Sequence, residues 1–185
     1  IEGNDPMVLF ENNKCKVTAF PLIHSVPTYG FLVEEQQQLL NLKRGVKDDY
    51  NLAFDDMMRI KNGHDHILAD GTVVPNAQLT KPRKPTKKYA YCCDTLYSDT
   101  LLPYIKDVDL LCFDCTFDKS LTAIAEEKLH GTTLSAATAA VSANAKRLML
   151  THFSARYSEV DSLVMEAQTI FPNTIAACDG MRYEV

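Results

Sequence analysis

No run of apolar residues in this chain approaches the roughly 18 to 20 needed to span a bilayer, so no transmembrane helix is expected within its 185 residues. The first residues, Ile1-Glu-Gly-Asn-Asp-Pro6, have neither a basic start nor an apolar core, and no leader peptide is expected in them. Positive charge is scarce: 19 Lys and Arg stand against 24 Asp and Glu, and the net charge of −5 argues against general affinity for polyanions. Any contact with nucleic acid must then come from a local basic patch. A disulfide framework is missing too. Of the six cysteines, Cys92 and Cys93 are neighbours in a β-prone run and point to opposite faces, while the others lie in apolar runs where a free thiol behaves as a small hydrophobe. Cys112-Phe-Asp-Cys115 has the C-x-x-C spacing, but no second pair and no strand-to-helix redox context accompany it.

What is present suffices for a folded domain. A hydrophobic content of 46% over this length can bury one core. Val8-Leu9-Phe10 and Lys16 to Phe20, separated by Glu11-Asn-Asn-Lys14, predict a hairpin, with Tyr29 to Val33 as the next strand. Residues 36–87 are polar and poor in apolar runs, and read as an insertion. Within it, Tyr50, Phe54, Met57 and Met58 predict a helix over 48–60, stopped by Asn62-Gly63, and Asp70-Gly71 predicts the turn of a hairpin. From Ser98 onward helices and strands alternate: helix 98–105, strand 109–113, helices 119–129 and 133–144, strand 147–150, helix 158–171 and strand 174–177. That rhythm means an α/β protein whose helices cover a sheet.

Three apolar runs stop on residues with chemistry. Leu148-Met-Leu150 leads through Thr151 to His152, Lys88 to Cys93 leads to Asp94, and Lys16 to Phe20 leads through Pro21 to His24. Side chains just past the carboxyl ends of strands can share one edge of one sheet. Two imidazoles and a carboxylate suit a borderline metal such as zinc. Thr132 or Thr133 can cap the alanine-rich helix that follows, leaving His130 in a loop beside a helix amino end. Lys81-Pro-Arg-Lys-Pro-Thr-Lys-Lys88 is the one dense basic stretch: Lys81, Arg83, Lys84, Lys87 and Lys88 form either a solvated loop or a contact for a phosphate backbone. His64-Asp65-His66 looks like part of a metal motif, but Ile67-Leu68 follow, so the segment reads as solvated surface.

Pro21-Leu-Ile-His24, Tyr91-Cys-Cys-Asp94-Thr95, Leu129-His130-Gly-Thr-Thr133 and Thr151-His152-Phe-Ser-Ala-Arg-Tyr157 together resemble ribonuclease Z, the tRNA 3′-end processing branch of the metallo-β-lactamase fold. The order and spacing match from about Lys16 to Val185. The family's His-x-His-x-Asp-His motif is not among these residues, so the resemblance is to the carboxyl-terminal half of such an enzyme. It implies an αββα sandwich, here half of it with a mixed sheet and covering helices, the insertion at about 36–87 standing where the family carries a projecting arm that grips tRNA. The glycine-proline pattern typical of that arm is not seen here.

The resemblance implies two zinc ions, with His24 and His152 as ligands and Asp94 bridging. It implies that His130 protonates the leaving oxygen. The family's His-Glu-Ala-Thr acid falls on Asp114, where a shorter carboxylate stands. Ser154 and Arg156 are placed to hold a phosphate, and a cytoplasmic homodimer acting on precursor tRNA is implied. Zinc sites of this kind need three or more protein ligands per ion. A histidine and a shared carboxylate for each fall short, so the isolated chain is expected to be inactive. The other reading left open is a non-catalytic module that keeps the fold to bind RNA or a partner.

Overall fold

In a computed structural model, residues 5–185 are described; Ile1 to Asn4, part of the stretch read above for a leader, lie outside them. Strand β1 (Met7–Glu11) turns into β2 (Cys15–Pro21) through Asn12, whose Oδ1 accepts from the amides of Lys14 and Cys15, and β3 (Tyr29–Glu35) follows. The polar stretch holds α1 (Val46–Asp49), α2 (Phe54–Lys61), β4 (His66–Ile67), β5 (Val73–Val74) and α3 (Asn76–Leu79). The chain then gives β6 (Lys88–Cys92), a short 3-10 turn and α4 (Leu102–Ile105), β7 (Leu110–Asp114), α5 (Thr122–Lys128), α6 (Thr133–Ser142), β8 (Leu148–Thr151), α7 (Asp161–Gln168) and β9 (Thr174–Ala176). Among the described residues no helix is long and apolar enough to cross a membrane.

Among the described residues, seven strands form one sheet in the order β1-β2-β3-β6-β7-β8-β9. The pairs from β1 to β6 are antiparallel and those from β6 to β9 parallel, so the sheet is mixed. Two antiparallel steps separate β2 from β6. Hence β2, β6, β7 and β8 all run the same way, and their carboxyl ends share one edge.

Alternation along each strand sorts the side chains between two faces. Ala90, Cys92, Leu111, Phe113, Leu148 and Leu150 pack with the buried alanines of α6 (Ala136, Ala137, Ala139, Ala140) and with Leu163 and Ala167 of α7. Burying each of the larger side chains stabilises the fold by about 1.5–3 kcal/mol. The small alanines let α6 lie close against the strands. Tyr89, Tyr91, Leu110, Cys112, Met149 and Ile175 occupy the other face. Cys112 and Cys115 therefore belong to different clusters, and all six thiols are free.

The chain separates into two units, residues 5–36 with 87–185 and residues 37–86. The smaller has its own core of Val46, Leu52, Ile60, Val74 and Leu79. Where the sequence predicts one helix over 48–60, two short helices stand, because Asn51 takes a left-handed conformation (φ 46°). The reversal turns Leu52 inward, where it is buried with Val46. His64 and Asp65 are exposed and His66 half-buried; Asp65 accepts from the Asn76 amide at 2.7 Å, so this segment fastens α3.

Candidate metal centre

The shared edge gathers the polar residues. Asp94 follows β6 and His152 follows β8, both with left-handed backbones (φ 58° and 61°), a conformation that non-glycine residues adopt at a cost of order 1–3 kcal/mol. This turn at the strand end aims the two side chains at each other: His152 Nε2 lies 2.7 Å from Asp94 Oδ1. Both are partly open to solvent, at 38% and 44% side-chain exposure. Between their strands β7 ends on Asp114, which is fully buried.

Asp114 is held by four donors. Thr95 N reaches Oδ2 at 3.1 Å, Thr116 N and Oγ1 reach Oδ1 at 2.8 and 2.7 Å, and His130 Nδ1 reaches Oδ2 at 2.9 Å. Such a saturated carboxylate orients its neighbours more readily than it binds an ion. His130 sits in the loop between α5 and α6. Leu129 has a left-handed conformation (φ 58°) and Thr132 caps α6 by accepting from Ser135 N, so the loop has a fixed form at both ends. Gly131 brings it against β7: an added Cβ would lie 2.1 Å from the Asp114 carbonyl oxygen.

His24 joins from the loop after β2. Ile23 N donates to Thr95 Oγ1 at 3.1 Å and Leu96 N donates to Ile23 O at 3.1 Å, which stitches this loop to the one after β6. The His24 ring lies 5.1 Å from that of His130, with its Nδ1 3.3 Å from the Leu129 carbonyl, and the His130 ring lies 5.2 Å from that of His152. Asp94, Asp114, His130 and His152 each offer a ligand atom within 4.8 Å of the others; His24 is outside that group. Nitrogen and carboxylate donors at this spacing fit a borderline divalent cation, with Asp94 and His152 the best placed.

Phosphate-handling candidates flank the cluster. The Arg156 guanidinium lies over the Phe117 ring at 4.9 Å and its Nε donates to Ser154 Oγ at 3.2 Å, while Phe117 itself stands 6.2 Å from the His130 ring. Tyr157 donates to Asp118 Oδ2 at 2.8 Å and accepts from Asp118 N at 2.9 Å, bracing the loops after β7 and β8. Hydrogen bonds from Ser120 hold the Asp118 carboxyl below the usual carboxylate range, with Tyr157 and Arg156 adding to the effect. The basic stretch is placed differently. Lys81, Arg83 and Lys84 are exposed in the smaller unit, whereas Lys87 and Lys88 stand at the start of β6, the far end from Asp94, paired with Asp109 at 3.4 Å and Glu34 at 3.1 Å.

Asp118 is a site residue that the sequence reading left out, while Thr116, Gly131 and Tyr157 entered it only as members of motifs, with no role assigned. The position of Thr116 two residues past Asp114 was a local signal of its role, since a hydroxyl there can reach back to the carboxylate.

A mixed sheet, helices on one face, and histidines and aspartates at the carboxyl edge of its strands define a protein of the metallo-β-lactamase fold. The crystal structure of the metallo-beta-lactamase fold protein YhfI from Bacillus subtilis superposes with a TM-score of 0.60 at 20% identity, covering 98% of this chain and 53% of that one. No family model matches the chain. Within the fold class, this chain is similar to ribonuclease Z. It is 39% identical over 180 residues to "Ribonuclease Z" of Bacteroides thetaiotaomicron, covering 97% of the chain and 57% of the relative. The protein of that name from Porphyromonas gingivalis is 37% identical over 185 residues, covering 100% and 61%. The chain thus spans about three-fifths of the length of the curated relatives it matches.

Proposed function

We propose that this chain supplies the carboxyl-terminal part of a zinc-dependent endoribonuclease that processes the 3′ end of precursor tRNA. Residues 1–185 are then part of one metallo-β-lactamase-fold domain, with a polar insertion at about 36–87. The observation that carries the reading is the meeting of Asp94, His130 and His152 around buried Asp114 in a chain 39% identical to a ribonuclease Z.

In this reading His24, Asp94 and His152 would hold two zinc ions, the histidines through a ring nitrogen each and Asp94 through its carboxylate. Bound zinc supplies a water that loses its proton near neutral pH and positive charge against the phosphate. His130, with Nδ1 on Asp114, gives a proton from its other nitrogen to the leaving oxygen, and the carboxylate stabilises the charged ring. Arg156 and Ser154 grip a phosphate, for which a guanidinium fork is suited. Lys81, Arg83, Lys84, Lys87 and Lys88 contact the tRNA backbone. The parent works as a homodimer in the cytoplasm.

The 185-residue chain by itself has too few ligands for two ions, and binds zinc weakly without cleaving RNA. The test incubates precursor tRNA, with and without zinc, with this chain and with the full-length parent. Trailer release by the zinc-loaded parent and none by the chain alone is the expected result. Turnover by the purified chain at low protein concentration overturns the inactivity, and a parent that never cleaves overturns the nuclease. Salt-dependent tRNA binding without metal and without cleavage points instead to a binding module.

A further inference from the structure

We infer that Thr116 is a positioning residue that fixes the tautomer of His152, relaying the charge of Asp114 so that Nδ1 carries the proton and Nε2 faces the site as a free lone pair. The inference rests on the metal-centre reading of Asp94 and His152, and extends it to a residue outside that ligand set.

The geometry is a three-member chain. Thr116 Oγ1 lies 2.7 Å from Asp114 Oδ1 and 2.9 Å from His152 Nδ1. A hydroxyl has one proton and can donate to only one of them. Asp114 Oδ2 is 3.6 Å from His152 Nδ1, too far for a hydrogen bond, so the carboxylate acts on this ring through the hydroxyl.

Burial decides which way the chain runs. If the hydroxyl donates to Asp114, its oxygen accepts from His152 Nδ1–H, and a fully buried carboxylate keeps a charge-assisted bond. In the reverse arrangement His152 donates from Nε2 to Asp94, the hydroxyl turns to Nδ1, and Oδ1 of Asp114 is left with the Thr116 amide alone. That arrangement gains a contact to a carboxylate 44% exposed to water, where ion pairs contribute little, and gives up one to a group with no access to water. The first arrangement therefore wins, with the solvent-exposed Asp94 carboxylate turning from Nε2 to water unless a cation joins the two acceptors. It is also the one compatible with a cation between Nε2 and Asp94, because a protonated Nε2 cannot ligate. Asp114 already takes His130 Nδ1 directly, so one buried carboxylate sets two histidines, one at first hand and one through Thr116.

The test compares the 185-residue chain with Thr116→Val, which keeps the shape and removes the hydroxyl, and with Thr116→Ser, which restores it. Long-range 15N–1H spectra taken where the rings are neutral identify the protonated nitrogen of His152, and competition with a zinc indicator dye gives the affinity for zinc. The expected result is an Nδ1–H tautomer in the wild type and in Thr116→Ser. For Thr116→Val it is a shift toward Nε2–H with zinc affinity lower by roughly 10- to 100-fold, the usual effect of losing such an outer partner. Circular dichroism checks that each variant is folded, and Thr116→Ser carries the comparison should Thr116→Val fail to fold, through retention of the wild-type tautomer and affinity. An Nε2–H tautomer in the wild type, or a folded Thr116→Val that matches it in tautomer or affinity, overturns the inference. A wild-type chain with the Nδ1–H tautomer and no zinc binding at all overturns the metal-centre reading and leaves the tautomer assignment standing.

Discussion

Replacing Gly131 with alanine probes the packing that places His130. The added methyl carbon would lie 2.1 Å from the Asp114 carbonyl oxygen and 2.8 Å from its carbonyl carbon, both backbone atoms with no rotamer to escape into. Ordinary contact begins near 3.4 Å, so the loop and the end of β7 must separate by more than an ångström. Both sides are tied: Cys115 N donates to Thr151 O at 2.9 Å, Phe117 N to Gly131 O at 3.2 Å, and Thr133 N to Phe117 O at 3.0 Å. Overpacking of this kind costs about 1–3 kcal/mol. If the loop lifts, the bond from His130 Nδ1 to Asp114 goes too, which costs about 1.5–3 kcal/mol for a charged acceptor. Together the loss is about 2.5–6 kcal/mol, a large share of the roughly 5–15 kcal/mol that holds a domain folded. Gly131 is not in the left-handed region, so without the clash alanine would stabilise by about 0.4–1 kcal/mol through the unfolded chain, and the two effects have opposite signs. Urea unfolding followed by circular dichroism separates them. A midpoint lowered by about 1 M or more at unchanged slope is expected, for slopes of about 1–3 kcal/mol per molar. A Gly131→Ala chain as stable as the parent would refute the reasoning.

Two other outcomes follow from ion pairing and burial. Burial works against the charge on Asp109, but hydrogen bonds from Lys146 and from the Lys88 amide outweigh it and hold its carboxyl below the ordinary range. A depressed folded value contributes stability that is present above the unfolded value of about 3.9 and lost as pH falls through the folded one. Asp109→Asn should therefore lower the urea midpoint at pH 7, with the gap to wild type narrowing below about pH 4; a gap that is constant with pH would count against the pairing. The thiols should sort by burial as well, since burial pushes Cys112 up to about 12 and raises Cys92 and Cys115 strongly. In the native chain at pH 8 an aromatic disulfide reagent should modify exposed Cys178 first and leave those three until denaturant is added; rapid reaction of Cys112 would show that its side of the sheet is open.

Much of the layout could be read along the chain because it depends on local pattern. The hairpin of β1 and β2, the alternation of β7, α5, α6, β8, α7 and β9, and the cap at Thr132 all come from short-range periodicity and turn chemistry. The helix expected over 48–60 failed at Asn51, where the gain from burying Leu52 outweighed helical continuity. The basic stretch also looked uniform in sequence, yet Lys87 and Lys88 are drawn into ion pairs at the far end of β6 while Lys81, Arg83 and Lys84 stay exposed.

By itself the sequence determined that His24, Asp94 and His152 each stand just past an apolar run, since strand ends are written in local hydrophobicity. Only the folded sheet decided that β2, β6, β7 and β8 run in one direction and so end at one edge, that Asp94 and His152 meet at 2.7 Å, and that Asp114 serves both His130 and Thr116 from a fully buried position. The contacts of Asp114 with His130 and of Asp94 with His152 join residues 16 and 58 positions apart, and no pattern within a single segment specifies them.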